Sequence, residues 1–159
     1  MKYVMSAFAL LALTACQSTG SSDNPEYAGL TMTDGEMSKA KWRQLERYEP
    51  IYPKSDAKNR RVGCATLEYV ITPDYQVQNI EVIDASRSSF ANAARKSIRK
   101  WSWQQVPTGN LQQPIKTRTR FEFCINDGSG NCANEKLLNN SQCSGTDVIS
   151  VVGTLIRAS

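Results

Sequence analysis

Apolar and polar residues alternate along two stretches in the middle of the chain, residues 61–72 and 77–83. A period of two is typical of β-strands, because successive side chains of a strand point to opposite faces of a sheet. Residues 73–75, Pro-Asp-Tyr, favour a turn between the two stretches, so the pattern predicts a β-hairpin. A third alternating stretch, residues 115–125, predicts a third strand farther along the chain.

Between the second and third strands, apolar side chains recur at every third or fourth position, which predicts an amphipathic helix capped by a serine at 88 or 89. The apolar stripe of this helix is formed by Phe90, Ala94, Ile98 and Trp101. Its other side is basic, with Arg95, Lys96, Arg99 and Lys100. A solvated helix face is the simpler interpretation of these cations, and contact with phosphates or acidic partners is the alternative.

The segments that flank this pattern give weaker signals. The capping-box sequence Thr33-x-x-Glu36 predicts a first helix, which ends before the prolines at 50 and 53. Residues 126–143 are polar and predict a loop. Residues 148–156 are apolar on one helical face, but their β-branching and Gly153 disfavour a helix. We interpret them as a short amphipathic segment packed on the sheet, with a membrane-touching helix as the alternative.

The alternation also predicts which residues share a face. The helix has to cover the face that holds Leu67, Tyr69, Phe121 and Phe123, because these are the large apolar side chains of the strands. If the third strand runs antiparallel beside the first, Cys64 can lie opposite Cys124. The same register places Glu68 opposite Arg120, which is a favourable cross-strand pair.

The composition excludes several kinds of chemistry. The chain has 159 residues, five cysteines, no histidine and a net charge of +4. Without histidine there is no Ser-His-Asp or Cys-His nucleophile and no imidazole ligand for zinc. The acids Glu68, Glu81, Asp84 and Glu122 form no evident catalytic pair. We therefore predict a non-enzymatic protein with no catalytic residues, and the mild basic charge gives no indication of nucleic-acid binding.

The first residues predict an exported, lipid-anchored protein. A short basic start and the apolar run 4–13 are typical of a secretory signal. Residues 13–16, Leu-Thr-Ala-Cys, resemble the lipobox of bacterial lipoproteins, which implies cleavage after residue 15 and acylation (palmitate among the acyl chains) of Cys16. A plain secretory signal with an incidental cysteine is the alternative. Gln17 implies the outer membrane, facing the periplasm, rather than the inner membrane. Residues 16–32 are rich in small polar residues and predict a flexible tether.

Export places the other four cysteines in an oxidising compartment, where two disulfides are expected. Of the three possible pairings, the strand register favours Cys64–Cys124, which leaves Cys132–Cys143. A metal site is the alternative, but no Cys-x-x-Cys spacing is present and no histidine completes a ligand set. We therefore expect no metal and no cofactor.

Residues 52–125 resemble the C-terminal domain of TonB-family proteins. The motifs that carry the resemblance are Tyr52-Pro53, Gly63 at the first strand, Phe90-x-x-Ala93-Ala94, Trp101-x-Trp103 and Phe121-x-Phe123. The resemblance implies an α+β fold, α-β-β-α-β, with a three-stranded antiparallel sheet in the order 2-1-3 packed on a helix. The domain would span residues 33–126, and residues 127–159 would form a disulfide-bearing C-terminal extension.

In that family, the third strand lies at the sheet edge and receives an extended segment of an outer-membrane transporter. The resemblance therefore implies that the partner, a transporter or another envelope protein, binds by strand addition. The corresponding edge here is Lys116, Thr117, Arg118, Thr119 and Arg120. The alternating cations could equally protect the edge against self-association.

The sequence departs from a typical TonB in lacking a membrane-helix histidine and a long proline-rich span. We expect no coupling to the proton gradient for that reason. The leading hypothesis is a periplasm-facing lipoprotein that binds an envelope protein in a transport-related role. The alternative is an envelope lipoprotein with a role in structure or assembly and none in transport.

Overall fold

The computed structural model describes residues 24–128, 132–139 and 141–154. Its helices and strands, in chain order, are α1 (Lys54–Lys58), β1 (Gly63–Ile71), β2 (Val77–Ala85), α2 (Ser88–Lys100), β3 (Ile115–Asn126), α3 (Asn134–Asn139) and β4 (Val148–Thr154). Within these residues, no helix combines the length and the apolar character needed to cross a bilayer. The predicted signal peptide, residues 1–15, and the predicted lipid site, Cys16, lie outside the described residues.

β1 lies between β2 and β3 and pairs antiparallel with both. The predicted α+β fold and the strand order 2-1-3 are therefore confirmed. α2 packs on the face that the alternation predicts, where Leu67, Tyr69, Phe121 and Phe123 are at most 1% exposed. The ring of Phe90 on α2 stacks on Phe123 with centroids 4.4 Å apart. Burial of these large aromatic side chains supplies much of the hydrophobic free energy of the fold.

A fourth strand extends the sheet beyond β3. β4 runs parallel to β3, from the pair Arg120↔Val148 to the pair Asn126↔Thr154, and the sheet order is β2-β1-β3-β4. The sheet thus has one strand more than predicted. The amphipathic segment is extended because four of the residues 148–152 are β-branched. Gly153 is required there, since the ring of Tyr52 lies 2.8 Å from the position that a β-carbon would take.

The predicted disulfides, Cys64–Cys124 and Cys132–Cys143, are wrong. The bonds are Cys64–Cys143 and Cys124–Cys132. The cause is the register of β1 against β3, which places Cys64 opposite Glu122, two residues away from the predicted pairing. Since the ladder ends at the pair Gly63↔Phe123, Cys124 lies beyond the end of β1. Cys64 therefore bonds to Cys143, which reaches the same face of the sheet from the C-terminal segment.

The predicted first helix does not form. Residues 36–42 make two 3-10 turns, Glu36–Ser38 and Ala40–Trp42. The buried carboxylate of Glu36 accepts hydrogen bonds from Lys39 at 2.5 Å and from the indole of Trp42 at 3.0 Å, and lies 2.6 Å from Lys41 Nζ. Burial acts to raise the pKa of Glu36, but these three donors hold it below its usual value. The glutamate that the sequence pattern marks as a helix cap is instead the centre of a buried charge cluster.

Part of the predicted flexible tether is held on the sheet. Asn24 and the side chain of Asn79 on β2 exchange two hydrogen bonds, of 2.7 and 2.9 Å. Met32 pairs with Lys116 on β3. Residues 24–32 therefore belong to the folded domain, because their backbone makes contacts that their polar composition does not reveal. Residues 16–23 lie outside the described residues.

Asp56 connects α1 to the start of α2. Its carboxylate is 1% exposed and lies 3.0 Å from Nε of Arg87 and 3.5 Å from a terminal nitrogen of Arg61. A hydrogen bond from Ser89 is the main reason that the pKa of Asp56 lies below its ordinary 3.8; burial opposes this shift and the two arginines support it. The charged carboxylate thus stabilises the fold at pH values above 3.8, and this contribution is lost as the pH falls through the lower pKa of the folded state.

Replacing Asp56 with asparagine should therefore destabilise the protein in a pH-dependent way. We expect a loss of about 2 kcal/mol in the free energy of unfolding at neutral pH, because hydrogen bonds to a buried charged group are lost. The difference from the wild type should shrink as the pH falls below 3.8, because the carboxylate becomes protonated first in the unfolded state and then in the folded state. Urea unfolding at neutral pH and at a series of acidic pH values measures this, and a difference that does not depend on pH would contradict it.

Candidate partner-binding edge

The predicted partner-binding edge is closed by the chain itself. Its five residues, Lys116, Thr117, Arg118, Thr119 and Arg120, all lie in β3. The N–H of Thr33 donates to the carbonyl of Lys116 at 2.8 Å, and the N–H of Arg120 donates to the carbonyl of Asp147 at 2.8 Å. β4 covers the strand from Arg120 onward. The prediction of an open edge at these residues is thus wrong, because segments far away in sequence pair with the strand on its outer side.

The side chains of the predicted edge also contact the rest of the chain. Thr117 and Thr119 are fully buried. The cations are paired: Lys116 and Arg118 lie 3.2 and 3.3 Å from Glu68, and Arg120 lies 3.0 Å from Glu122. Glu68 lies opposite Arg118 rather than opposite Arg120, which is the same shift of two residues that changes the disulfides. These side chains therefore hold the fold together, and they do not reach out towards a guest strand.

Asp147 is the residue that fixes the C-terminal segment beside β3. Its carboxylate, 4% exposed, accepts two hydrogen bonds from Arg47 at 2.6 and 2.8 Å and one from Thr119 at 2.7 Å. Because the Thr119 hydroxyl donates to a carboxylate, it accepts the 2.9 Å hydrogen bond that joins it to the Tyr69 hydroxyl. Burial raises the pKa of Tyr69, so this donor stays protonated. The Arg47 guanidinium also lies 5.5 Å from the ring centre of Trp101.

Residues just before Asp147 bond to the face of the sheet that lies opposite α2. The disulfide to Cys64 holds Cys143, and the carbonyl of Cys143 accepts a hydrogen bond of 3.1 Å from Arg120. The carbonyl of Ser144 accepts a 2.6 Å hydrogen bond from Thr66, and the Ser144 hydroxyl donates to Asp84 at 2.8 Å. The segment that leads into β4 is therefore fastened to β1, β2 and β3 before the strand begins.

Little in the sequence indicates these contacts. Asp147 stands alone in a polar stretch, Met32 belongs to no recognisable motif, and the pattern at Thr33 predicts a capping box and not a contact with β3. The β-branched run that begins at Val148 is the one signal from which a strand could have been predicted. The four cysteines of the extension and the sheet are all in disulfides, and the described residues contain no cluster of three or more His, Cys, Asp or Glu side chains suited to a metal ion.

Comparisons with known proteins match the central part of the sequence. Residues 48–125 match the family model of the Gram-negative bacterial TonB protein C-terminal region. Protein TonB of Klebsiella pneumoniae is 26% identical over 78 residues, which are 48% of this chain. The match covers 32% of that protein, so this chain spans about a third of the length of the curated relative.

Among solved structures, the solution NMR structure of the Pseudomonas aeruginosa TonB CTD superposes with a TM-score of 0.43 at 19% identity, covering 50% of this chain and 85% of that chain. The family match includes α1, β1, β2, α2 and all of β3 except its last residue. Thr33, Asp147 and β4, which close β3, lie outside the matched range. Residues 48–125 of this chain are therefore a C-terminal domain of the TonB family.

Proposed function

We propose that this chain is a periplasm-facing envelope lipoprotein, held in the outer membrane through Cys16, whose TonB-like domain binds another envelope protein and has no enzymatic activity. The partner contributes an extended segment that adds to the sheet at β4, and not at β3. The observation that carries the proposal is the position of β4. It occupies the outer side of β3 and becomes the last strand of the sheet.

β4 has the properties of a strand that accepts a partner. Its seven residues are uncharged, and Val152 is 44% exposed. Because the carbonyl of Asp147 faces β3, the alternation along a β-ladder turns the backbone groups of Val148, Val152 and Thr154 to the other side. No strand of the described chain pairs with that side. Main-chain groups on an uncharged edge strand are a template for strand addition.

β2, at the opposite end of the sheet, is a poorer acceptor. Its register against β1 shifts at two places, and Asn79 has a φ of 48°. Bulges of this kind twist an edge strand and interrupt its row of hydrogen-bonding groups. β2 also carries Glu81 and Asp84, and Asn24 already occupies the side chain of Asn79. The two edges of the sheet therefore differ, and β4 is the one suited to pairing.

A role in envelope assembly is the second candidate function, and the closed edge of β3 favours it. In the TonB family, that edge is where a transporter segment would be expected to bind. Here the disulfide Cys64–Cys143 and the hydrogen bonds of Asp147 keep β4 on it. The identity of the captured partner separates the two roles: a transporter supports transport, and an envelope protein of another kind supports assembly.

Photo-crosslinking in cells tests the proposal. We expect a crosslinking amino acid at Val152 to capture a specific envelope protein, and the same amino acid at Val82 on β2 to capture none. Val82 is a matched control because it is also a valine on an outer strand, 37% exposed against 44% for Val152. The adduct should be found in the membrane fraction, and Cys16→Ser should abolish labelling of the chain by radioactive palmitate.

Val152→Pro provides the second arm of the experiment. The backbone N–H of Val152 points away from β3, so proline removes a donor for the partner and leaves the β3–β4 ladder intact. Capture by a crosslinker at Thr154 should fall about tenfold in this variant, which corresponds to the loss of one main-chain hydrogen bond. Equal capture from Val152 and Val82, or capture that Val152→Pro does not change, would contradict binding at β4.

A further inference from the structure

We infer that the outer surface of α2, together with residues 48–54, is a second interaction surface, which binds the anionic phospholipids of a bilayer. α2 contains four cations and no acidic residue. Lys96, Arg99 and Lys100 are exposed, and Arg95 is half-buried. None of these four lies within 4 Å of a carboxylate of the described chain, although the cations of β3 are all paired. The positive charge of this helix face is thus left without internal compensation.

An extended segment runs along α2 and adds apolar side chains to the same surface. The carbonyl of Tyr48 accepts hydrogen bonds from Ser97 and, at 3.1 Å, from the indole of Trp101. At the other end of the segment, the Tyr52 ring contacts Phe90, with centroids 5.8 Å apart. Between these two attachments Ile51 is 82% exposed, and Tyr48 itself is 50% exposed. The segment is therefore fixed to the helix while it presents an aliphatic side chain to the solvent.

Two of the α2 cations line one groove together with the apolar side chains. It has a volume of about 350 Å³, and its lining includes Ile51, Lys54, Lys96 and Lys100. Glu49 is the one carboxylate among its described lining residues. The stem of a lysine can lie along apolar surface while its ammonium group contacts a phosphate. An exposed aliphatic side chain beside several lysines is the arrangement that interfacial segments use on anionic bilayers.

The position of the domain in the envelope is consistent with this surface, although this step rests on the proposed anchor. Asn24 is fixed to β2 through Asn79. Eight residue steps separate it from Cys16, so an acylated Cys16 would keep Asn24 within about 28 Å of the bilayer. The charge and exposure of α2 do not depend on that anchor. The binding test can therefore fail or succeed separately from the proposed function.

The test measures binding of the full chain to vesicles of phosphatidylcholine alone and of phosphatidylcholine mixed with phosphatidylglycerol. Every variant, and the wild type used as the reference, carries Cys16→Ser, so that the proposed acyl chains cannot bind the vesicles irrespective of their charge, and the other N-terminal residues are the same in all variants. We expect the wild type to prefer the anionic vesicles, and Lys96→Glu/Lys100→Glu to reduce that preference at least thirtyfold, which is about 2 kcal/mol. Ile51→Ser should weaken binding to the anionic vesicles about tenfold.

The matched control is Arg60→Glu/Lys136→Glu, which changes the net charge equally at residues that line a different cavity. This control should keep the preference of the wild type. Hydrogen exchange should show protection at residues 48–54 and 92–100 when anionic vesicles are added. An unchanged preference in Lys96→Glu/Lys100→Glu, or an equal loss in the control, would overturn the inference. Binding of an acidic peptide in the groove with no preference between the vesicles would likewise overturn it, in favour of a protein partner.

Discussion

Replacing Asp147 with alanine should lower the free energy of unfolding by about 3–5 kcal/mol, because it removes one partner of a buried ion pair. The carboxylate is 4% exposed and Arg47 is 26% exposed, so the guanidinium would keep its charge in a site that is mostly closed to water. Thr119 would also lose its acceptor, and it is fully buried. Urea unfolding at neutral pH measures the loss.

A second variant separates the contribution of the ion pair to stability from the contribution of side-chain packing. Arg47→Met/Asp147→Leu removes both charges and retains apolar volume, so it should be clearly more stable than Asp147→Ala. The interaction energy follows from a double-mutant cycle with the two single variants. A loss below about 1 kcal/mol for Asp147→Ala would show that the network contributes no more than an exposed pair.

Asp147→Ala also tests whether the C-terminal segment, residues 148–154, keeps the outer side of β3 closed. Asp147 joins Arg47, Thr119 and the backbone of Arg120 at the residue before β4 begins. We expect Asp147→Ala to increase amide exchange in residues 148–154 more than in β1, because local opening requires fewer contacts to break. The outer side of β3 would then be exposed for part of the time. The C-terminal segment occupies the edge that the family resemblance predicts as the binding site.

The sequence patterns suffice to predict β1, β2, β3 and α2, because the alternation of a strand and the apolar spacing of a helix are local. An alternating period assigns Leu67 and Tyr69 to one face and Cys64 and Thr66 to the other, whatever the strand pairs with. The structure keeps all of these assignments. Burial of the helix-facing residues then follows from the amphipathic stripe of α2. Nothing in this reasoning needs information from distant parts of the chain.

The strand register and the disulfides could not be fixed in this way. A shift of two residues leaves every side chain on its predicted face, so the alternation is satisfied equally by Cys64 opposite Cys124 and by Cys64 opposite Glu122. What separates the two registers is contact with residues far away in sequence, among them Asp147 and Cys143. The helix predicted from the capping box is absent for a related reason. Glu36 finds Lys41 and Trp42 as partners, and these outweigh the local preference for a helix.

β4 is the strand that local patterns predict least well, and it decides which edge of the sheet is free. Parallel pairing with β3 requires a segment to return beside a strand that ends 22 residues earlier, and no local pattern specifies such a return. The β-branched residues of the segment favoured extension, but the helical spacing of its apolar residues suggested another interpretation. The structure resolves the conflict through the backbone hydrogen bond between Arg120 and Asp147. The proposed binding site therefore lies at β4, and not at β3 as the family resemblance implies.

The two disulfides should differ in their contributions to stability, because they close loops of very different length. Cys64–Cys143 spans 79 residues and Cys124–Cys132 spans 8. In the chain-entropy model, replacing both cysteines of the long loop with serine costs about 4.5 kcal/mol, and the same change in the short loop costs about 2.5 kcal/mol. Each double variant is the control for the other, since both lose one disulfide and gain two hydroxyl groups.

Peptide mapping of the oxidised protein should first link Cys64 to Cys143, and urea unfolding of the two double variants then gives the energies. The long-loop variant should also release the start of β4, because Cys143 holds the segment over β1 on the side opposite α2. Exchange of residues 148–154 should therefore rise in Cys64→Ser/Cys143→Ser and remain low in Cys124→Ser/Cys132→Ser. Equal losses of stability with equal exchange would mean that the long-loop disulfide does not hold the C-terminal strand. The closure of β3 would then depend on Asp147 and the strand pairing alone.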